Sequence, residues 1–558
     1  MEILLTAINS KYIHSNLAVR YLKEYTRDIN YQCKIKEFSI NDRLEKVFEN
    51  IMEQKPDIVA FSCYIWNIEY IRKLAKLIKT LDESIEILYG GPEVSYDSEY
   101  FLLNNPGDYL IEGEGEEVFR EFVQWKIENK NCNELNIKGL YQKSEDRVIY
   151  GGKRLQMNFE KVVFPYRDKD NLENKIVYYE SSRGCPFNCK YCLSSTNEGV
   201  RFLSVERVKR ELKFFMNKRV RLIKFVDRTF NCNHKFSMEI WKFLIESETN
   251  ATFHFEISAD ILKDEEIELL RTAPKGRIQL EIGVQTTNDD ILKNINRNIK
   301  FNDIKDKVLK LKKNKNIKQH LDLIAGLPGE SYERFKKSFN DLYSIKPEEI
   351  QLGFLKLLKG SAMRFEAEKW GMVYSPYAPY EILKTDNLSY EEILKLKRVE
   401  AMVDKYYNSG KFENILKYFV HKFENSFDFY YSLGNFFKKK GYFDRNISSS
   451  DYYKVFLEYN YEELGEENSN IIEVIKFDYL KFNKKKWIPP FLNRCIDKAA
   501  EKEIRNKLKQ EGVFSVKQNF HIEKFNIDIL KYQSESKIEK EEKYVIFDES
   551  DVDNIFYF

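Results

Sequence analysis

The chain lacks most of what secreted, membrane-embedded or nucleic-acid-binding proteins depend on. Eight cysteines among 558 residues are too few for a disulfide framework in a protein this long. No apolar run approaches the roughly 18 to 20 residues of a membrane span. The first residues, "MEILLTAINS", show no basic stretch followed by a long apolar one, so the expected compartment is the cytoplasm. Lys and Arg number 91 against 89 Asp and Glu. That balance leaves no positive excess of the kind on which non-specific nucleic-acid affinity rests, although a local basic patch is still compatible with it. What is present is core material: 43% of residues are apolar and 15% aromatic. At about 150 residues per domain, the length predicts three or four units rather than one core.

Short apolar runs alternate with amphipathic helical patterns through the first 125 residues, from "EILLTAI" and "NLAVRYLKEYT" to "DYLIEGEGEEVFREFV". Runs such as "DIVAFSC" are continuously apolar, as in strands covered by helices on both faces, which predicts a doubly wound parallel sheet of flavodoxin-like or Rossmann type. Ligands of such sheets bind at the carboxyl ends of the strands, so the loops after Ile8, Cys63 and Tyr89 are the ones to watch. A second series of six strand patterns begins at Val177 and predicts a partial (β/α)6 barrel, whose chemistry also sits at strand ends. The expected division is 1–130 for the sheet domain, 131–172 for a connector with a hairpin, 173–375 for the barrel, and 376–558 for a mainly helical domain that covers the barrel mouth.

The stretch "SSRGCPFNCKYCLSS" places Cys185, Cys189 and Cys192 within eight positions. Eight cysteines scattered at random would give this CxxxCxxC spacing only about 0.002 times per chain. Three thiolates on a loop just past a strand suit an iron-sulfur cluster with one iron left open. A closed zinc site would need a fourth ligand, and no His follows within forty residues.

With Tyr191 preceding the third cysteine, the motif resembles that of the radical S-adenosylmethionine (SAM) superfamily. The resemblance implies a 4Fe-4S cluster whose open iron is chelated by SAM, and reductive cleavage of SAM to a 5′-deoxyadenosyl radical. It also implies an external electron donor of the flavodoxin or ferredoxin class, with Tyr191 near the adenine. Later segments are similar to the family's strand ends. "KFVDRTFN" would bring Asp227, Arg228 and Asn231 into the barrel mouth, and "FEISADI" would offer Glu256 and Ser258 to the methionine or ribose part of SAM. "LEIGVQTTN" would place Glu281 and Gln285 near the sugar, and "DLIAGLPGE", with Gly326, near the adenine.

A doubly wound sheet ahead of such a barrel resembles the cobalamin-dependent subclass. The strand-end loops would then supply Asn9, His14, Ser62, Tyr64, Trp66, Asn67, Gly90, Gly91, Pro92, Glu93, Gly113, Glu114 and Gly115 to cobalamin. Glycines admit a large flat ligand and small hydroxyl groups reach its amides. The Asp-x-His-x-x-Gly pattern of base-off mutases is broken here, with Tyr12 for Asp and Leu17 for Gly, so no carboxylate orients His14. The expectation is cobalamin bound without a His ligand. The predicted activity is methyl transfer to an unactivated carbon or a phosphinate phosphorus. A cobalamin-dependent cyclisation or rearrangement is the first alternative. The second is tRNA methylthiolation, which needs a further cluster held by three cysteines on loops of the first domain, whereas Cys33 falls inside an expected strand, Cys63 ends one and Cys132 lies in the connector.

Overall fold

A computed structural model describes residues 1–128, 136–173, 175–196, 199–467, 470–483, 488–510, 520–548 and 555–557. Cys132 lies outside the described residues. Among these the chain divides into two compact units, one of residues 1–334 with 353–389 and one of 335–352 with 390–558.

The first unit opens with strands β1 (Glu2–Asn9), β2 (Gln32–Ser39), β3 (Ile58–Ser62), β4 (Glu86–Gly90) and β5 (Tyr109–Ile111). They pair in parallel in the order β2-β1-β3-β4-β5. Strand order reverses between β1 and β3, which makes their loops, residues 10–16 and 63–67, the switch-point loops. Strands β1 and β3 are almost wholly buried because each face carries its own core. Leu4, Ile8, Val59 and Phe61 pack to one side and Leu5, Ala7 and Ala60 to the other. The hairpin expected in the connector belongs instead to this sheet: β6 (Leu140–Ser144) and β7 (Arg147–Tyr150) continue it past β5 in antiparallel pairing. The edge of β5 offers unpaired backbone groups, and the hairpin satisfies them.

The barrel sheet runs β8 (Ile176–Tyr179), β11 (Leu222–Phe225), β12 (Thr252–Ile257), β13 (Ile278–Gln285), β14 (Lys318–Ala325) and β15 (Glu349–Phe354), in that spatial order. Between the first two, β9 (Ser182–Gly184) pairs antiparallel with β10 (Val200–Phe202). What reads in sequence as one strand, "IVYYESSRG", therefore breaks at Glu180.

The helix Tyr332–Ile345, part of the expected barrel, has its C-terminal part in the second unit. Phe339 and Tyr343 there meet Phe427 and Tyr430. That unit is mainly helical from Tyr390 and ends in an antiparallel sheet of Phe520–Phe525, Lys543–Asp548 and Ile555–Tyr557, against which the helix Lys498–Gln510 packs Ile504 and Leu508.

Candidate functional site

The three cysteines sit on the loop that the short β9–β10 ribbon closes. Gly184 has φ +109°, and a Cβ there would lie 2.2 Å from Gly199 O, so only glycine lets the ribbon close. The loop is tied down from several sides. The Lys190 amide donates to Ile295 O at 3.0 Å, Cys192 N to Cys189 O at 3.1 Å, and Asn296 Nδ2 to Asn188 O at 2.9 Å. The Lys190 ammonium meets Glu366 at 2.8 Å. All three thiols are free. Burial raises the Cys189 thiol above its ordinary range, Arg297 works against this, and Cys192 and Cys185 add to it. Three free thiols on one pinned loop, two of them close enough to Cys189 to oppose its ionisation, fit a cluster held by three cysteines.

Around this loop the structure redistributes several expected roles. Asp227, expected in the barrel mouth, is 1% exposed. It accepts from Ser181 N at 3.0 Å and from the Ser181 and Ser182 hydroxyls at 2.6 Å each. Burial still pushes its carboxyl up to about 6. Asp227 thus anchors the strand break that launches the cysteine loop. Asn231 and Ser258 clip their two loops together, Ser258 N to Asn231 Oδ1 at 3.0 Å and Asn231 Nδ2 to Ser258 O at 2.9 Å. Glu256 is enclosed, and burial, with Glu281's charge contributing, pushes it up to about 7 against the pull of Arg228. Glu281, expected near a sugar, meets His254 Nε2 at 2.9 Å inside the barrel. Gln285 has φ +70° at a bulge of β13 and folds its amide over Gly283. Gly326, expected near an adenine, approaches Ile382 so closely that a Cβ would lie 2.8 Å from its Cγ2.

Tyr191 receives a hydrogen bond at 3.2 Å from Arg297, whose other terminal nitrogen donates to Gly283 O at 2.6 Å. The sequence reading missed Arg297, because a lone Arg twelve residues past a strand carries no pattern. It also missed Thr229, whose hydroxyl lies 3.4 Å from Cys185 Sγ, and Cys232, which burial and the neighbouring Cys185 push up to about 11.

A cavity of about 700 Å³ separates the switch-point loops of the first sheet from the barrel. Asn9, His14, Ser62, Tyr64, Trp66, Gly90, Gly91, Pro92, Gly113, Glu114 and Gly115 all line it, as do Tyr178, Ser182, Leu193, Ser194 and Arg228 from the barrel side. Tyr64 and Trp66 stack at 4.4 Å and 7°, with Trp66 45% exposed. A stacked aromatic pair lining a cavity, with its Trp66 ring exposed, suits a flat apolar ligand.

His14 is held by Tyr178 of β8, with Nδ1 hydrogen-bonded to its hydroxyl and the rings stacked at 5.7 Å. Burial, then Lys11 and Lys224, keep its imidazole below the ordinary range, and so neutral. The 10–16 loop also pairs with β8 through Ile176 N to Ile13 O at 3.0 Å.

Two expected cobalamin residues face elsewhere. Asn67, fully buried, donates to Ile8 O and Ser62 O at 2.9 Å each. Glu93, 2% exposed, accepts from Tyr380 and meets Lys359 at 3.3 Å. Gly91 has φ +113°, and a Cβ would lie 2.5 Å from Cys63 O. Glycine there serves the loop's own packing. Cys33 and Cys63 join core clusters on opposite faces of the sheet, so they cannot share a second cluster.

Residues 179–342 match the family model of the radical SAM superfamily, residues 3–123 that of the B12 binding domain, and residues 368–547 that of a protein of unknown function (DUF4080). The 2-(S-pantetheinyl)-carbapenam-3-carboxylate methyltransferase of Streptantibioticus cattleyicolor is 26% identical over 310 residues, 51% of this chain and 45% of that protein. The cobalamin-dependent radical SAM methyltransferase TokK of Streptomyces tokunonensis is 25% identical over 361 residues, 60% of this chain and 52% of TokK. The chain spans about half the length of these curated relatives. The cobalamin-dependent S-adenosylmethionine radical enzyme OxsB, solved with aqua-cobalamin, shares the fold at a TM-score of 0.57 and 15% identity, covering 91% of this chain and 75% of OxsB.

Proposed function

We propose, for a chain that belongs to the radical SAM superfamily through residues 179–342 and carries a B12 binding domain in residues 3–123, that it is a methyltransferase acting on an unactivated carbon or a phosphorus centre. The observation that carries this reading is the cavity, because the cobalamin-side loops and the barrel-side residues next to the cysteine loop line one shared space. Methyl transfer requires both reacting groups in such a space. When bound, the cluster, SAM and cobalamin supply the radical and the methyl group.

The chain's own residues do the remainder. Cys185, Cys189 and Cys192 hold the cluster as thiolates. Tyr191, fixed by Arg297, gives a rigid surface beside it. Glu256 offers a buried carboxyl whose ionisation a cationic ligand would favour. Tyr64 and Trp66 give the corrin an apolar face, and Asn67 holds their loop. His14, neutral and bonded to Tyr178, holds the loop against the barrel rather than ligating cobalt. The reductant is an external flavodoxin or ferredoxin, and the working compartment is the cytoplasm; among the described residues no helix is long and apolar enough to cross a membrane.

Anaerobic reconstitution tests the reading. Wild type should bind one cluster and one cobalamin, cleave SAM and release a methylated product. Replacing Cys185, Cys189 or Cys192 by Ala should abolish the cluster and SAM cleavage, whereas replacing Cys33 or Cys495 should not. A His14→Ala variant should still bind hydroxocobalamin with an unchanged base-off spectrum. Cleavage of SAM by a variant with Cys185, Cys189 and Cys192 all replaced by Ala would overturn the cluster assignment. Failure of the wild type to bind hydroxocobalamin would overturn the other half.

A further inference from the structure

Strand alternation gives the barrel sheet one apolar face and one polar face. Leu280, Ile282 and Val284 of β13 and Leu321, Leu323 and Ala325 of β14 are buried on the first. The second carries His254 and Glu256 of β12, Glu281 of β13, and His320 and Asp322 of β14. Barrel interiors are usually packed with branched apolar side chains, whereas this one holds a row of imidazoles and carboxylates, with the charges of Lys224, Arg228 and Arg297 acting on the carboxylates.

Register brings part of that row together. Glu256 pairs with Glu281 and Glu281 with His320, while His254 sits one pleat below Glu256 and reaches diagonally to Glu281. The ligand atoms of His254, Glu281 and His320 all lie within 4.8 Å of one another, the one such group among the described residues. The His254 and His320 rings meet edge to face with centroids 5.6 Å apart. Two further groups are unanswered: His254 Nδ1 and Asp322 Oδ1 are buried with no hydrogen-bond partner.

We propose that His254, Glu281 and His320 form a binding site for one divalent first-row transition-metal ion inside the barrel, separate from the cysteine loop. Two imidazoles and one carboxylate make a three-ligand set that leaves a position open for water or an oxygen donor. At Zn–N and Zn–O lengths near 2.1 Å, tetrahedral ligand atoms stand about 3.3 Å apart. His254 and Glu281 at 2.9 Å are already nearer than that, and His320 closes the triangle by a side-chain movement of at most about 1.5 Å. An ion there would add to Lys224, Arg228 and Arg297 in compensating Asp322 and Glu256, the carboxylates beside Glu281. The open position makes the site an anchor for an oxygen-bearing group of a ligand that enters the barrel.

The test uses the full chain with its cluster already loaded, so that the three cysteines are occupied, and Zn²⁺ as the probe. Competition against a chromophoric chelator should show one Zn²⁺ per chain beyond the cluster. X-ray absorption at the zinc edge should show imidazole and oxygen neighbours without sulfur. His254→Ala and His320→Ala should each weaken binding by at least about 100-fold while iron, sulfide and cobalamin contents stay at the wild-type level. Absence of bound zinc in the wild type, sulfur in its coordination shell, or unchanged affinity in His320→Ala would overturn the proposal. Should a variant fail to take up its cluster, the coordination shell of the wild type still decides.

Discussion

At the scale of single residues, burial sets the chemistry of the acids near the cysteine loop. Burial raises Glu256 from 4.5 to about 7, so the folded chain holds a proton there that the unfolded chain has released. That contribution is complete below about pH 4.5 and disappears as pH rises through about 7, at a cost near 3 kcal/mol. Chemical denaturation of the cofactor-free chain from pH 4.5 to 8 should therefore show Glu256→Gln gaining stability relative to wild type as pH rises. The glycines separate two functions that look alike in sequence. Gly91→Ala combines a left-handed backbone with a clash against Cys63 O and should cost about 2–4 kcal/mol by denaturation. Gly90 also lines the cavity, and a Cβ there meets only Ile111 Cβ, at 3.9 Å. Gly90→Phe should accordingly leave the folded chain nearly as stable while weakening hydroxocobalamin binding, followed by visible spectra.

At the scale of elements, the cysteine motif depends on the ribbon that presents it. The β9–β10 pairing closes only because Gly184 passes Gly199 without a Cβ. Gly184→Ala, with every cysteine intact, should reduce bound iron and sulfide to a small fraction of wild type. Asp227 acts on the same element from behind. Asp227→Ala strands two hydroxyls and one backbone amide that now donate to it, and should cost about 2–4 kcal/mol in denaturation along with partial loss of cluster. Asp227→Asn, which still accepts, should lose less.

For the molecule as a whole, the first sheet and the barrel are joined by buried charge. Arg183 contacts Glu116 at 2.9 Å and Glu180 at 2.8 Å, with Glu114 at 3.5 Å, and its guanidinium lies over the Phe159 ring. Arg201 reinforces Glu114, and together the two arginines outweigh its burial and hold its carboxyl below the usual range. Arg183→Ala leaves Glu116, about 5% exposed, as an uncompensated buried carboxylate. The expected cost is about 3–5 kcal/mol, together with faster proteolysis near residues 160–175 and weaker cobalamin retention. Arg183→Lys should recover part of this, since one ammonium cannot span the carboxylates that the guanidinium fork reaches.

The sequence by itself determined the elements whose signal is local. Apolar runs gave the parallel strands, periodicity gave the helices, and three cysteines at fixed spacing gave the cluster loop, because each depends on neighbours a few positions away. The match of residues 3–123 and 179–342 to known families agrees with that reading. Only the tertiary structure decided the rest. Glu93 and Asp227 read as ligand residues, yet each meets its partners from segments 45 or more positions distant. The hairpin after residue 139 read as a connector until the edge of β5 claimed it. His254 and His320, 66 positions apart, carry no motif and meet only because parallel register brings their strands level with Glu281. Contacts of this kind are fixed by packing and strand register, which a single sequence does not display.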